Sequence, residues 1–119
     1  MSVKFFTDNP SALLKSFREK ITQKEQEGSI ATWEIMESGH FTHKGKQYAR
    51  DAFFWAEARP QDGFLLFTII RPKGGSVGTR VYSYYHGHLI ETFLNHFNSK
   101  FSRASATAKP SQGDNTIAK

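Results

Sequence analysis

The chain has no cysteine in its 119 residues. That excludes disulfide staples, thiolate nucleophiles and cysteine-ligated metal centres, and it fits a reducing compartment. No stretch approaches the roughly 20 apolar residues that a membrane-spanning helix requires. The first residues lack the basic region and apolar run of a secretory leader. The expectation is a soluble, cytoplasmic protein with no membrane partner. Aromatic residues are missing from position 102 onward, where Ile117 is the sole large aliphatic side chain. So little apolar surface cannot offset the entropy of ordering the segment. Residues 102–119 are therefore predicted to be a disordered tail behind a single domain of residues 1–101.

What the chain does have is a run of aromatic-rich segments from Thr32 to Tyr85. Phe53, Phe54 and Trp55 are followed by the apolar run 64–70, and then by Val81, Tyr82, Ser83, Tyr84 and Tyr85. On a strand, Phe53 and Trp55 point one way while Phe54, Ala56 and Ala58 point the other. A sheet packed on one side reads apolar in and polar out; one that is apolar on both faces needs a second cover. Two helical stretches are available to supply it. The second face is thus expected to meet a protein partner or another copy of the chain, as a homodimer, with Phe53 and Trp55 in the interface.

The order of elements reads as α+β: an N-terminal helix, a four- or five-stranded antiparallel meander and a C-terminal helix. Asn9 is a natural helix cap, with Pro10 at the first helical position. Leu14, Phe17 and Ile21 then form an apolar stripe that ends at Gly28. Phe5 and Phe6 either pack back on that first turn or form a short edge strand. Strands are expected at 31–37 and 40–43, while residues 46–51 read as loop or as strand continuation. A hairpin of 52–58 and 64–71 follows, turning at 59–63. After a flexible loop at 72–78 come a strand at 79–85, a break at His86 and Gly87, and a helix at 88–101. Ile90, Phe93, Leu94, Phe97 and Phe101 make the apolar stripe of that helix.

The net charge of +5 is concentrated between residues 38 and 80, which alone hold an excess of four positive charges. Within that stretch Arg71, Lys73, Gly74, Gly75 and Arg80 form a glycine-rich loop flanked by cations, the ingredients of an anion site. A nucleotide-triphosphate loop opens a helix and carries a Gly-Lys-Ser/Thr step. This one joins two predicted strands and lacks the step, so an ordinary charged hairpin loop competes with the anion reading. Arg80, Tyr82 and Tyr84 would share one face of the 79–85 strand, where tyrosines can stack on unpaired bases. The same residues also serve as ordinary cross-strand packing. His86 and His88, one residue apart on an extended segment, are weak metal-ligand candidates, with Glu91, His96, His40 and His43 as possible company. A junction whose histidines satisfy free backbone groups accounts for them equally.

Helix, strands and helix in a small basic chain resemble the double-stranded-RNA-binding domain in outline. Here, however, the segment between the helices is too long, and the second helix opens His-Gly-His-Leu-Ile-Glu without a phosphate-gripping lysine cluster. No catalytic signature stands out and no cofactor is called for. The sequence therefore points first to a non-enzymatic module acting through protein contacts and self-association. Nucleic-acid binding through the 71–80 loop and the Arg/Tyr face is the alternative.

Overall fold

A computed structural model describes residues 2–117 as two helices and six strands. In chain order these are β1 (Val3–Phe6), α1 (Pro10–Thr22), β2 (Trp33–Ile35), β3 (Phe41–His43), β4 (Phe53–Arg59), β5 (Phe64–Ile70), α2 (Thr79–Phe97) and β6 (Arg103–Ala106). The strands make one sheet in the order β2-β3-β4-β5-β1-β6, with every neighbouring pair antiparallel. The α+β class stands, but the sheet has six strands rather than four or five. The N-terminal helix is preceded by β1, and the C-terminal helix is followed by β6.

Helix α1 starts where its cap places it: the Asn9 side chain accepts the Ala12 N–H at 3.1 Å, and Pro10 opens the first turn. Its buried side chains include Leu13, Leu14 and Phe17. The hairpin of β4 and β5 keeps full register from Phe53↔Ile70 to Arg59↔Phe64. Side chains therefore sort by parity. Phe54 and Ala56 of β4 lie on one face with Leu65, Phe67 and Ile69 of β5 and Val3 and Phe5 of β1. All of these are buried.

Both helices pack on that face. Phe17 of α1 meets Phe41 and Phe67, at centroid distances of 4.8 and 5.9 Å. Phe93 of α2 stacks on Phe5 at 4.0 Å and meets Phe67 edge-on. Trp33 donates its indole N–H to Thr92 Oγ1 at 3.0 Å, which satisfies a buried donor while tying β2 to α2. A Phe93→Ala change would empty the junction of two helices and two strands, the kind of substitution that costs about 3–5 kcal/mol.

Two expectations fail here. Residues 79–85 are helical, not extended, and His86-Gly87 does not break the element. Tyr82, Tyr85, His86, Leu89, Phe93 and Phe97 recur three and four residues apart and are all buried. That stripe, packed on the sheet, overrides the local strand preference of Val81–Tyr85. The apolar stripe of the second helix stands only in part: Phe93 and Phe97 are buried, but Leu94 is 52% exposed and Phe101 lies beyond the helix end.

Residues 102–117 are ordered rather than a disordered tail; residues 118 and 119 lie outside the described residues. Apolar burial is not what holds them. β6 pairs with the far side of β1, from Val3↔Ala106 to Phe6↔Arg103. The chain then rounds the start of β1, and Asn115 forms a parallel bridge with Ile70. Asn115 N–H donates to Ile69 O at 2.9 Å, Arg71 N–H to Asn115 O at 2.6 Å, and Val77 N–H to Thr116 O at 2.7 Å. The open edges of β1 and upper β5 carry backbone groups that require partners, and the last segment supplies them.

Candidate functional site

With both helices on one face, the other face of β4 and β5 has no helical cover. It presents Phe53, Trp55, Glu57 and Arg59 beside Phe64, Leu66, Thr68 and Ile70. At one end cations lie over rings: Lys4 Nζ is 4.8 Å from the Phe64 centroid, and the Arg103 guanidinium is 4.1 Å from that of Phe6. The other end is more apolar. Trp55 is 41% exposed and borders a hollow of about 300 Å³ lined by Met36, Ser38, His40, Phe53 and Ile70. The β2–β3 turn leans on the indole, with His40 packed at 4.9 Å. Gly39, at φ +91°, allows this approach, since a Cβ there would stand 3.3 Å from Trp55. Arg59 pairs with Glu57 and with Asp62, the latter at 3.6 Å, so the charges bordering the patch are balanced within the chain.

A second cluster joins β3, the β3–β4 loop and α2. Gly45 N–H donates to His43 Nδ1 at 3.0 Å, which leaves the proton of the neutral ring on Nε2. Nε2 then donates to the Tyr84 hydroxyl at 3.1 Å. Tyr84 stacks on Tyr48 at 4.2 Å and lies parallel to His88 at 5.6 Å. His88 Nδ1 donates to Glu91 at 3.2 Å, while its Nε2 is buried without a hydrogen-bond partner. Burial pushes the His43 pKa below the ordinary histidine value, and the neighbouring His88 adds to the effect. Burial likewise raises the pKa of Tyr85, whose hydroxyl donates to Tyr48 O and accepts the Asp51 N–H. The arrangement braces the loop against α2. A metal fits it poorly: His43 holds its Nε2 proton toward Tyr84, so that nitrogen offers no lone pair to an ion shared with His88.

The residues singled out from the sequence scatter. Arg80 and Tyr84 lie one helical turn apart on α2, but Tyr82 points elsewhere, 7% exposed, with its hydroxyl donating to Thr107 O at 2.8 Å. The Arg80–Tyr82–Tyr84 face therefore does not exist, because the segment is a helix. His86 and His88 likewise point in different directions. His86 donates from Nδ1 to Tyr82 O at 2.7 Å and accepts from Ser2 Oγ at Nε2, so both nitrogens are engaged. Among the described residues no group of three His, Asp or Glu side chains could hold a metal ion. Arg71 folds back on its own loop, with Nη1 3.4 Å from the carbonyls of Pro72 and Gly75. Gly74 takes the positive φ of the turn, and Lys73 stays exposed. Phe53 and Trp55 do share the uncovered face. Sequence reasoning missed Tyr48 and the His43–Tyr84 bond. The spacing of four from Tyr84 to His88 was the available clue, readable only once the segment is taken as helical.

Comparison with known proteins gives no match: no family model, curated protein or solved structure is significantly similar to this chain. Among the described residues no helix is long and apolar enough to cross a membrane.

Proposed function

We propose that this chain is a non-enzymatic, cytoplasmic binding module that works through protein–protein contact, with a second copy of itself on the uncovered sheet face. The observation that carries the reading is the placement of Trp55: a partly exposed indole beside an apolar hollow, on the side of the sheet opposite both helices. A knob and a hollow side by side are self-complementary. Two copies related by a two-fold axis each seat an indole in the other's hollow. Arg59 is already paired with Glu57 and Asp62, so it brings no unpaired charge to this face. A binding role is favoured over catalysis because the His88 imidazole keeps Nε2 buried away from solvent while its Nδ1 is bonded to the Glu91 carboxylate.

Sedimentation velocity between 1 and 100 µM (about the range that separates specific dimers from weak contacts) tests the proposal. The wild type should sediment at twice the 13.5 kDa of the monomer. Trp55→Lys, and separately Met36→Lys on the wall of the hollow, should sediment as monomers with unchanged circular dichroism. A single 13.5 kDa species for the wild type across the whole range would sink the proposal.

A further inference from the structure

The topology gathers several of the chain's unpaired cations at one end of the sheet. The β3–β4 loop leaves β3 at His43 and enters β4 at Phe53, and Phe53 pairs with Ile70, where the β5–α2 loop begins. Both loops therefore emerge at the same end. Tyr48 stacks on Tyr84 and His43 bonds to it, so the first loop is clamped to the opening turns of α2. Arg80 lies one turn before Tyr84 on the same side of α2. The end thus collects Lys44, Lys46 and Arg50 from one loop, Arg71 and Lys73 from the other, and Arg80 from the helix.

These six cations share the end with three carboxylates: Asp51, the Glu34 that binds Arg50 at 3.0 Å, and Asp114, which accepts the Ile69 N–H at 3.0 Å just before the second loop. Arg71 is spent on its own loop. Lys44, Lys46, Lys73 and Arg80 are exposed, and none makes an ion pair among the described residues. The opposite end is mixed in charge: Asp8 and Asp62 lie there with Arg59, Lys100 and Arg103.

We infer that this basic end is a docking surface for the phosphate backbone of a nucleic acid. The four free cations come from three separate segments rather than from the wall of one cavity. That spread suits a ligand with several charges in a row better than a single phosphate group. A lipid surface is a poorer match, because the exposed indole that could enter a bilayer sits on the sheet face and not among these cations. The tyrosines here are packed on each other and on histidine, so bases are not read by stacking. Recognition is of the backbone, with little sequence preference.

Fluorescence anisotropy tests this, using a labelled mixed-sequence 20-base-pair duplex at 50 and 200 mM salt. Backbone-only binding of this kind is on the order of 10⁻⁴–10⁻⁶ M at physiological salt and tighter below it. Release of counterions from four contacts gives a log–log salt slope of about −3 to −4, so affinity should fall roughly 100-fold between the two conditions. Lys44→Glu/Lys73→Glu/Arg80→Glu, with unchanged circular dichroism, should abolish binding. Lys15→Glu/Lys24→Glu/Lys109→Glu carries the same net charge at other places and should retain it within a few-fold. Absence of binding at 50 mM salt would overturn the inference. So would equal loss in the two triple variants, which would mean that net charge alone is at work. Equal affinity for polyglutamate or for vesicles of anionic lipid would overturn it as well, by assigning the surface to an acidic protein or a membrane.

Discussion

Tyr82→Phe separates a docked C-terminal segment from a free one by the removal of a single oxygen. The Tyr82 ring stacks on His86 at 3.9 Å, and phenylalanine preserves that contact. What disappears is the hydroxyl, which donates to Thr107 O at 2.8 Å and lies 2.9 Å from Thr107 Oγ1. A hydrogen bond of this kind contributes a net 0.5–1.5 kcal/mol, by about the usual range for such deletions. Thr107 is exposed enough for water to replace part of the loss, which places the expected cost near 1 kcal/mol. For a chain of this length that corresponds to a fall of about 4 °C in the thermal midpoint. Urea unfolding followed by tryptophan fluorescence gives the free energy. Limited proteolysis should show cleavage within 107–113 rising in the variant while the domain stays intact. Asp114→Ala removes the acceptor of the Ile69 N–H, 3.0 Å away, and loosens the same segment from its other end. The double variant should therefore cost less than the sum of the two single changes. A hydroxyl pointing into water would make Tyr82→Phe neutral within about 0.3 kcal/mol, a normal value for a surface change. That result, with unaltered proteolysis, would refute the docking.

Two further outcomes follow from local geometry. Gly87 sits in the interior of α2, exposed, and a Cβ there would meet nothing within 4 Å, so Gly87→Ala should stabilise the protein by about 0.5–1 kcal/mol in urea unfolding; a destabilised variant would mean that α2 is broken at this residue. His43, His86 and His96 all have pKa values lowered first by burial, with His88 assisting at His43 and Lys20 at His96, while the Tyr82 carbonyl opposes the shift at His86. The unfolded chain therefore takes up protons that the folded one refuses. Their contribution is full above the unfolded histidine value of about 6.5 and is lost as the pH falls from there through the folded-state values. The urea midpoint should drop steadily from pH 7.5 to pH 5, and a flat or rising profile would contradict the burial of these rings.

How much of this was legible in the sequence varies with the range of the interaction involved. The α1 start at Asn9-Pro10 and the β4–β5 hairpin were readable because their determinants lie within a few residues of one another. The 79–85 segment was not, because Val81 and three tyrosines favour extended backbone on local grounds. Its helical stripe becomes visible only when Tyr82, Tyr85 and His86 are joined to Leu89, Phe93 and Phe97, across a glycine that looks like a break. The ordering of residues 102–117 was beyond reach for a different reason. Apolar content measures what a segment can bury, but β6 is held by backbone pairing with a β1 strand about 100 residues earlier, and no side-chain pattern advertises it.

The change of period in α2 also decides where chemistry can reside. On a strand, Arg80, Tyr82 and Tyr84 would form one exposed strip of cation and rings; on a helix, each residue turns about 100° from the last. Tyr82 is carried inward to His86 and Thr107, whereas Arg80 and Tyr84 stay together and meet the β3–β4 loop through Tyr48 and His43. The glycine-rich loop shares its end of the sheet with Lys44 and Lys46 but loses the tyrosine strip that suggested base stacking. Phe53 and Trp55 were untouched by this error, because their facing depends on the β4–β5 register alone. The two surfaces are therefore independent consequences of the topology. Placing both helices on one face leaves Trp55 uncovered on the other, and antiparallel pairing of β3, β4 and β5 brings two basic loops to the same end. A substitution at Trp55 should leave the basic end intact, and charge reversal at Lys44, Lys73 and Arg80 should leave the apolar hollow intact. Each proposal can thus fail without carrying the other with it.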